Sequence, residues 1–509
     1  MKKARIGFIL AVLLTVVLSS TASAQYPGYA WSTAYQVVNM GTVDASIHID
    51  YYDSTGNVVT GASKDFNAVP PGGSQLVVQY IDDPNLGSGL YSAVISASQP
   101  VAAIVNQQLV QNGSATYNPV PPFASYTGEG TGSSTLTLSA VMYNWYGYFT
   151  DVFIMNVGAA AATNVDIAYI PGAISGVPTG ASGVTDLNNP IAQYATLEKS
   201  QQSLSSLGAP GGTYNGRFLG SATITSDQPI IAVVNQHNVS AYKLMTYNGF
   251  TTNASTSIAD PNHMRGYFGY YSTLLVANPS PSATAHVSLT YTPSGPYNVG
   301  TGAPVTVSHD IAPQSSLTRY DGSTATASQS DLLPFYTRFY GSVSITSDIP
   351  VVAQINVEAN PAAASGQAAQ AGSFTGIPVS SASPVIVLPV VLADYYGYYT
   401  TSIIQNVTGT DGSCTIAYTS DGTYSAVKNH SASYVHALPA NSSITVYEGR
   451  KGGQEIGDIN HDTQWRSGSA KQFIGAATVT CNVNAVAFQN EEKDVALKDS
   501  MYTFNAFNK

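Results

Sequence analysis

The chain of 509 residues carries 18 lysine and arginine residues against 29 aspartate and glutamate residues, a formal net charge of −11. This balance argues against binding of nucleic acid through its phosphates, which requires clustered basic side chains. Only 9% of the residues are charged, where about 25% is usual. The surface therefore favours close packing against a solid, a glycan or other copies of the chain; an ordinary exported β-protein with a neutral surface is the alternative.

Residues 1–24 predict a cleaved export signal. Three basic residues precede an apolar stretch at 6–18, and Ala22 to Ala24 offers a small-residue cleavage site before Gln25. The apolar stretch is too short and too close to that site to span a membrane convincingly. We therefore expect a mature chain that is secreted or held at the cell surface and has no transmembrane segment.

The remaining sequence repeats one pattern four times. A Tyr-x-Gly-Tyr phrase, interpreted as part of a strand, opens each copy, with its glycine at Gly28, Gly147, Gly269 and Gly397. An asparagine follows an apolar run at Asn39, Asn156, Asn278 and Asn406. A tyrosine then closes the next strand at Tyr51, Tyr169, Tyr291 and Tyr418. Marks in the same order at a period near 120 residues indicate one domain duplicated in tandem.

The copies predict β-strands almost throughout. Valine, isoleucine, threonine and tyrosine alternate with polar residues, and glycine and proline punctuate the runs, as is typical of sandwiches. Each copy ends in a phrase such as SATITSDQPIIAVVNQ at 221–236, which predicts a hairpin turning at its proline. The equivalent prolines are Pro100, Pro229 and Pro350. The predicted fold is all-β, with four tandem Ig-like or Greek-key β-sandwiches at 25–118, 135–250, 258–376 and 384–509.

The first repeat differs from the others in one respect. Repeats 2 and 4 have an extra apolar strand before the phrase, at 136–142 and 385–392, and repeat 3 has a weaker one around Ile258. The first has none, because the mature chain begins at Gln25. An uncovered sheet edge is therefore predicted in repeat 1, where another chain could add a strand. Linkers are predicted at 119–134, 251–262 and 359–383.

At the level of class, the chain resembles bacterial exported proteins made of tandem Ig-like sandwiches. The resemblance covers the whole chain after the leader and rests on its strand pattern and turn residues. Repetition, export and the absence of a catalytic motif predict a scaffold that works at the cell surface, in an extracellular assembly or as an adhesin, with its four sandwiches arranged as a rod.

Cys414 and Cys481 are the only cysteines, and both fall in repeat 4. Two thiols in one exported domain predict a disulfide. Closing this loop would stabilise the domain by roughly 4 kcal/mol. Two free buried cysteines are the alternative.

Two further sets of residues are candidates for interaction or structure. The asparagines Asn39, Asn156, Asn278 and Asn406 are predicted to bond the backbone of their own turns. The tyrosines of the repeated phrase are candidate interface aromatics: Tyr146, Tyr148, Tyr267, Tyr270, Tyr395 and Tyr398. Exposed aromatic rows stack on sugars and anchor protein interfaces. Packing in the core or between domains is the alternative.

No motif predicts catalysis or a cofactor. The eight histidines form no HExxH or paired-cysteine zinc motif. The segment 458–462 copies the opening of a calcium loop, but Thr463 and Ser469 replace its glycine and closing glutamate. We therefore expect a non-enzymatic structural protein that binds itself, other surface proteins or polysaccharide; a glycan-binding array is the alternative.

Overall fold

The computed structural model describes residues 9–13, 29–111, 119–172, 183–204, 207, 216–251, 254–359, 370–395, 397–420, 430–451, 454–455, 457–461, 473–493 and 501–508. These residues are nearly all in β-strands. The described α-helices, α1 (Gln79–Asp82) and α2 (Asp458–His461), have four residues each. Single 3₁₀ turns lie at Gln201–Ser203 and Val379–Ser381. No helix in these ranges is long enough to cross a membrane.

The strands follow the four repeats. Repeat 1 has β1 Ile9–Leu13, β2 Tyr29–Asn39, β3 Ala45–Tyr52, β4 Lys64–Val69, β5 Ser74–Val78, β6 Ser92–Ala97, β7 Val101–Gln111 and β8 Pro119–Thr127. Repeat 2 has β9 Ser133–Tyr143, β10 Phe149–Asn156, β11 Val165–Pro171, β12 Val184–Asp186, β13 Thr196–Ser200, β14 Phe218–Asn238 and β15 Lys243–Asn248. Repeat 3 has β16 Ser255–Arg265, β17 Tyr270–Ala277, β18 Ala285–Pro293, β19 Val299–Gly300, β20 Val305–Ile311, β21 Ser316–Tyr320, β22 Tyr336–Ala359, β23 Ala371–Thr375 and β24 Ile377–Pro378. Repeat 4 has β25 Ser383–Ala393, β26 Tyr398–Asn406, β27 Gly412–Ser420, β28 Ser431–Leu438, β29 Ser443–Tyr447, β30 Arg450–Lys451, β31 Gln454–Glu455, β32 Phe473–Lys493, β33 Met501–Asn505 and β34 Phe507–Asn508.

Each repeat is a sandwich of two antiparallel sheets. In repeat 1, the first sheet has the order β1-β6-β3-β4 and the second sheet has the order β5-β2-β7-β8. In repeat 2, one long strand serves both sheets, because β14 pairs first with β9 and β11 and then with β10 and β15. Strands β22 and β32 do the same in repeats 3 and 4. The predicted all-β sandwich class is confirmed.

The hairpin predicted around Pro229 is wrong. Strand β14 continues through this proline, and its two halves pair with different strands instead of with each other. In repeat 1, Pro100 separates β6 from β7, which lie in different sheets. A proline has no N–H for a sheet ladder, so it fits the point where the chain leaves one sheet for the other. The alternation of apolar residues is the same in a hairpin as in a strand that passes from one sheet to the other, so the sequence pattern could not distinguish the two.

Several boundaries also differ from the expectation: residues 255–262 of the predicted linker 251–262 belong to β16, and the predicted linker 359–383 contains β23 and β24. Residues 119–127, predicted as a linker, form strand β8, which pairs with β7 and completes the second sheet of repeat 1. Residues 9–13, within the predicted leader, form β1, with Ile9 opposite Ala97 and Leu13 opposite Ala93 of β6. With the leader attached, repeat 1 therefore has the strand that the sequence analysis found missing.

The four repeats form a closed ring, so the predicted rod is wrong. Strands β8, β15, β23 and β33 contact one another in turn, and β33 contacts β8. The Ser125 hydroxyl of repeat 1 donates to the Thr503 carbonyl of repeat 4 at 2.8 Å. The Thr503 hydroxyl donates to the Ser373 carbonyl of repeat 3 at 2.7 Å. The Asn248 amide of repeat 2 donates to the Thr127 carbonyl of repeat 1 at 2.7 Å.

The ring closes because the second sheets carry apolar side chains that their own repeats do not bury. Phe153 and Ile231 of repeat 2 join the apolar cluster of repeat 1. Ile403 and Phe488 of repeat 4 join that of repeat 3. A sheet that is apolar on both faces must be covered on both, and a neighbouring repeat provides the second cover. A rod would leave one such face exposed at its end.

Candidate interaction faces of the ring

One asparagine in each repeat occupies an equivalent position. It lies in β7 in repeat 1 and in the second half of β14, β22 or β32 in the other repeats. These asparagines are Asn106, Asn235, Asn356 and Asn490. Asn235 and Gln107 exchange two hydrogen bonds, of 2.9 and 3.3 Å, between repeats 2 and 1. The Asn356 amide donates to Gln236 at 2.8 Å between repeats 3 and 2. These amide pairs fix how neighbouring repeats align, because an unpaired buried amide is costly.

At the junction between repeats 4 and 1, Glu491 occupies the position that Gln107 and Gln236 occupy in repeats 1 and 2. Its side chain is buried and hydrogen-bonded to Asn106. Burial raises the pKa of Glu491 to about 8, and the bond to Asn106 opposes the rise. Between repeats 3 and 4, Val357 stands at the glutamine position, and the Asn505 amide donates to the Thr375 carbonyl at 2.8 Å instead. The four junctions are thus equivalent in place but not in chemistry.

A buried ion pair joins repeats 2 and 3. The Lys243 ammonium lies 2.8 Å from the Glu358 carboxylate, and both side chains are at most 10% exposed. The Tyr148 hydroxyl of repeat 2 donates to the same carboxylate at 2.6 Å. A buried charge pair of this kind specifies alignment more than it adds stability.

In repeats 2 and 3 the Tyr-x-Gly-Tyr phrase forms a two-residue turn, which corrects its interpretation as part of a strand; most of the first copy lies outside the described residues. Trp145 and Tyr148 bridge across the turn, and Tyr146 and Gly147 have positive φ angles of 50° and 85°. Repeat 3 repeats this geometry at Phe268 and Gly269. Two consecutive positive φ angles define the type I′ turn of tight β-hairpins. The glycine is needed because it adopts positive φ without strain.

The turn places its aromatic side chains in two environments. Tyr146, at the tip, is 65% exposed. Tyr148, Tyr267, Tyr270, Tyr395 and Tyr398 are half-buried. Tyr267 stacks on Tyr340 at 4.5 Å between ring centroids, and Tyr398 lies 6.2 Å from Phe123 of repeat 1. Five of the six candidate tyrosines therefore contribute mainly to packing within and between repeats.

Exposed aromatic side chains gather around these turn tips. Phe268 is 42% and Tyr297 is 49% exposed, and their ring centroids are 6.2 Å apart. In repeat 2, the Arg217 guanidinium lies 4.8 Å from the Tyr146 ring centroid. Equivalent turns in a closed ring of repeats lie at the same end of that ring. One end of the ring therefore presents aromatic rings, with basic side chains such as Arg217 and Arg338 beside them.

The turn asparagines lie at the opposite ends of the strands and are fully buried. The Asn156 amide donates to the carbonyls of Ala160 and Ile191, at 2.8 and 3.0 Å. Its oxygen accepts the Gly158 N–H at 2.9 Å. Asn39, Asn278 and Asn406 make the same set of bonds. In repeats 1, 3 and 4 the distant carbonyl belongs to the last residue of a first-sheet strand, namely Val69 of β4, Ile311 of β20 and Leu438 of β28, so one side chain connects its own turn to the end of that strand.

Cys414 and Cys481 form a disulfide. They face each other in the adjacent strands β27 and β32, with their Cα atoms 4.0 Å apart. The equivalent pair in repeat 1 is Ile47 and Ala97. The cross-link therefore occupies an ordinary core pair of the first sheet.

The four closing tyrosines are all buried, and no sequence motif indicates their hydrogen-bond partners. The Tyr291 hydroxyl donates to Asp331 at 3.1 Å, and the Tyr418 hydroxyl donates to Asp458 at 3.0 Å. His309 and His436 bond the same two aspartates at 2.9 and 2.8 Å. Tyr51 pairs with Asp83 and Tyr169 with Gln201. The separation of His309 and His436 along the sequence equals that of Tyr291 and Tyr418. An alignment of repeats 3 and 4 would therefore place the two histidines at one position.

Repeat 3 also encloses a charged histidine. His263 lies 2.8 Å from Asp260 and 2.9 Å from Asp321, and none of the three side chains is exposed. Burial lowers the pKa of His263, but the bonds to both aspartates outweigh it and raise the pKa to about 9. No substrate could reach this group, so its role is to hold β16 against the loop at Asp321.

No group of three or more potential metal ligands occurs among the described residues. Asp458, the first residue of the calcium-like segment, points inward to Tyr418 and His436. Asp462, its last residue, lies outside the described ranges. The first residue of the segment is therefore a hydrogen-bond partner of the buried Tyr418.

Comparison with known proteins gives no family. No protein-family model and no curated protein matches the chain. Among solved structures, the chain is similar to Thermotoga maritima 1070 at 19% identity, over 25% of this chain and 97% of that one, with a TM-score of 0.17. It is similar to the native conformation of E. coli alpha-2-macroglobulin at 9% identity, over 98% of this chain and 33% of that one, with a TM-score of 0.12. Scores this low support no argument from either protein.

Proposed function

We propose that this chain is an exported, non-enzymatic structural protein of the cell surface or extracellular matrix, and that it forms or joins a filament, lattice or adhesive assembly. The closed ring of repeats is the observation that supports this most. The repeated polar and aromatic positions serve junctions and turns, as in Asn235 with Gln107 and Tyr148 with Glu358. The buried histidine and tyrosine clusters likewise serve the cores.

The outward face of the first sheets suits close packing. In repeat 3, the hydroxyls of Ser288 and Ser308 lie 3.1 Å apart, and those of Thr290 and Thr306 lie 2.9 Å apart, across β18 and β20. Such a face can form hydrogen bonds, and its ionisable residues His286 and Asp310 are paired with each other at 2.7 Å. It can approach a like surface without strong local repulsion, because only 9% of the residues of the chain are charged.

Fractionation of cells followed by negative-stain microscopy of the native material tests the proposal. We expect the protein outside the cytoplasm, in filaments, sheets or clusters built from ring-shaped particles. A protein found as dispersed single rings in the culture medium would contradict the assembly. A protein retained in the cytoplasm would contradict export.

A glycan-binding array is the second candidate, and the exposed aromatic end favours it. Phe268 and Tyr297 form a paired aromatic surface that could stack on sugar rings. Polysaccharide pull-down should then weaken at least tenfold in the double variant Phe268→Ala, Tyr297→Ala. The control is Val435→Ala, an exposed apolar residue on a sheet face, which should leave binding unchanged. Equal binding by all three proteins would reject this candidate.

A further inference from the structure

We propose that repeat 1, once its leader has been removed, accepts an apolar β-strand from a different exported protein in the place that β1 occupies beside β6. We call this place the β6 slot. The inference rests on the export in the proposed function. It adds a specific surface and a kind of partner to that function.

The other repeats show what the slot is built to hold. Strands β9, β16 and β25 occupy the equivalent place along β14, β22 and β32. Each contributes a core side chain at the same position, namely Leu136 opposite Ile224, Ile258 opposite Ile345 and Ile386 opposite Val479. These side chains are at most 1% exposed. In repeat 1, the residue at this position is Ala11, opposite Ile95.

Removal of residues 1–24 takes β1 away. Strand β6 then has β3 on one side and, among the described residues, no neighbour on the other. Its outer N–H and C=O groups lose their partners, and the apolar row that includes Ala93, Ile95 and Ala97 loses part of its cover. An apolar edge with unpaired backbone groups is a template for another strand. The pairing with Ile9–Leu13 shows that an antiparallel apolar strand fits.

The rim of the slot is also different in repeat 1. In the other repeats, an apolar residue lies two positions after the end of β15, β23 or β33 and pairs with the strand that occupies the slot. These pairs are Phe250 with Thr137, Ile377 with Ala259 and Phe507 with Val387. Repeat 1 has Glu129 at this position, two residues after Thr127, where it accepts a hydrogen bond from Asn248 at 2.7 Å. A glutamate here suits an occupant that brings a basic or hydrogen-bonding side chain beside its apolar residues.

The tail of a second copy is a poor donor. The C-terminal residues Phe507 and Asn508 pair with β25 and complete repeat 4. The ring also places repeat 4 directly against repeat 1 within one chain, as the bond from Ser125 to Thr503 shows. Head-to-tail exchange would have to break both contacts. The geometry therefore points to a strand from another protein.

The test uses the chain that begins at Gln25 and a synthetic peptide containing Ile9–Leu13 between solubilising lysines. We expect saturable binding and a melting temperature raised by several degrees. The matched control peptide carries proline in place of Ala11 and should bind at least tenfold more weakly, because proline breaks the ladder. Absence of binding to the folded chain, or equal binding of both peptides, would overturn the proposal.

A second variant separates the slot from other apolar surfaces. A copy of Ser133–Tyr143 joined by a flexible linker ahead of Gln25 should fill the slot from within the chain, raise the melting temperature and abolish peptide binding. The same linker without the strand should change neither. Peptide binding that survives in the filled variant would place the peptide elsewhere and overturn the proposal.

Two outcomes distinguish this proposal from the proposed function. N-terminal sequencing of the native exported protein should give Gln25; retention of residues 9–13 would overturn the slot while leaving export intact. Self-association of the chain that begins at Gln25, abolished in the filled variant, would identify a second copy as the occupant and overturn the choice of partner. A protein that stays in the cytoplasm would instead fail the localisation experiment.

Discussion

The junction between repeats 1 and 2 and the junction between repeats 4 and 1 use equivalent positions with different side chains. At the first, Gln107 and Asn235 exchange two hydrogen bonds. At the second, Glu491 and Asn106 occupy these positions, and one oxygen of each has no partner among the described residues. The peptide chain joins repeats 1 and 2 directly but does not join repeat 4 to repeat 1. The buried acid Glu491 thus lies at the junction between repeats 4 and 1, which closes without a covalent link.

The outer parts of the same junctions differ as well. The hydroxyl of Ser92 bonds the carbonyl of Tyr194 between repeats 1 and 2, and Ser221 and Ser342 make the equivalent bonds at the next two junctions. The fourth position is Ala476, which has no hydroxyl. Closure relies instead on aromatic packing, as in the stacking of Tyr502 on Phe123 at 5.0 Å between centroids. Aromatic packing thus takes the place of this one serine bond, beside the hydrogen bonds of Ser125 with Thr503 and of Tyr502 with Gln108.

The largest expected effect comes from the disulfide, which only the closing repeat contains. Replacing Cys414 and Cys481 with alanine should lower the stability of repeat 4 by about 4 kcal/mol. Calorimetry with and without reductant measures this. The alanine variant should not respond to reductant, and a wild-type melting curve unchanged by reduction would contradict the prediction.

Truncation of the closing aromatic contact should come next. Tyr502→Ala removes the stacking on Phe123 and the hydrogen bond to Gln108, and should cost about 3 kcal/mol. Tyr502→Phe keeps the stacking and should cost about 1 kcal/mol. Urea denaturation compares the two. Equal losses would show that the hydroxyl, and not packing, closes the ring.

The buried acid should make the closing junction sensitive to pH. The pKa of Glu491 is raised from 4.5 to about 8 in the folded protein. Its stabilising contribution is therefore complete below about pH 4.5 and is lost as the pH rises through about 8. Glu491→Gln should melt like the wild type at pH 4 and be more stable by about 2 kcal/mol at pH 9.

The matched variant is Gln107→Glu, which places an acid at the junction between repeats 1 and 2. It should introduce the pH dependence that Glu491→Gln removes, because the two positions are equivalent. Parallel melting curves for the wild type and Glu491→Gln from pH 4 to pH 9 would refute this account of the junction.

The smallest effect should come from the serine bonds. Ser92→Ala should lower the free energy of unfolding by about 1 kcal/mol, the usual net value of one hydrogen bond. Ala476→Ser tests the fourth junction and should raise the stability by no more than about 1 kcal/mol. Chemical denaturation measures both. A lower free energy of unfolding in Ala476→Ser than in the wild type would mean that the closing junction has no room for a hydroxyl.

Several features of the site were predictable because they are local. Asn156 could be assigned to its turn because an asparagine side chain reaches its own backbone. The strands around Tyr169 and Tyr291 could be predicted from alternation along the chain. The roles of the phrase tyrosines could not, because exposure depends on neighbours: Tyr146 and Tyr148 are two residues apart, and only Tyr146 is exposed.

By itself, the sequence determined the duplication, the all-β class and the turn asparagines, because these follow from periodicity and from contacts within a few residues. Only the tertiary structure decided that β14 passes between two sheets, that the repeats close into a ring and that Glu491 meets Asn106. Such contacts join residues that are hundreds of positions apart. They depend on which apolar faces remain uncovered once each sandwich has folded, and no local pattern records that.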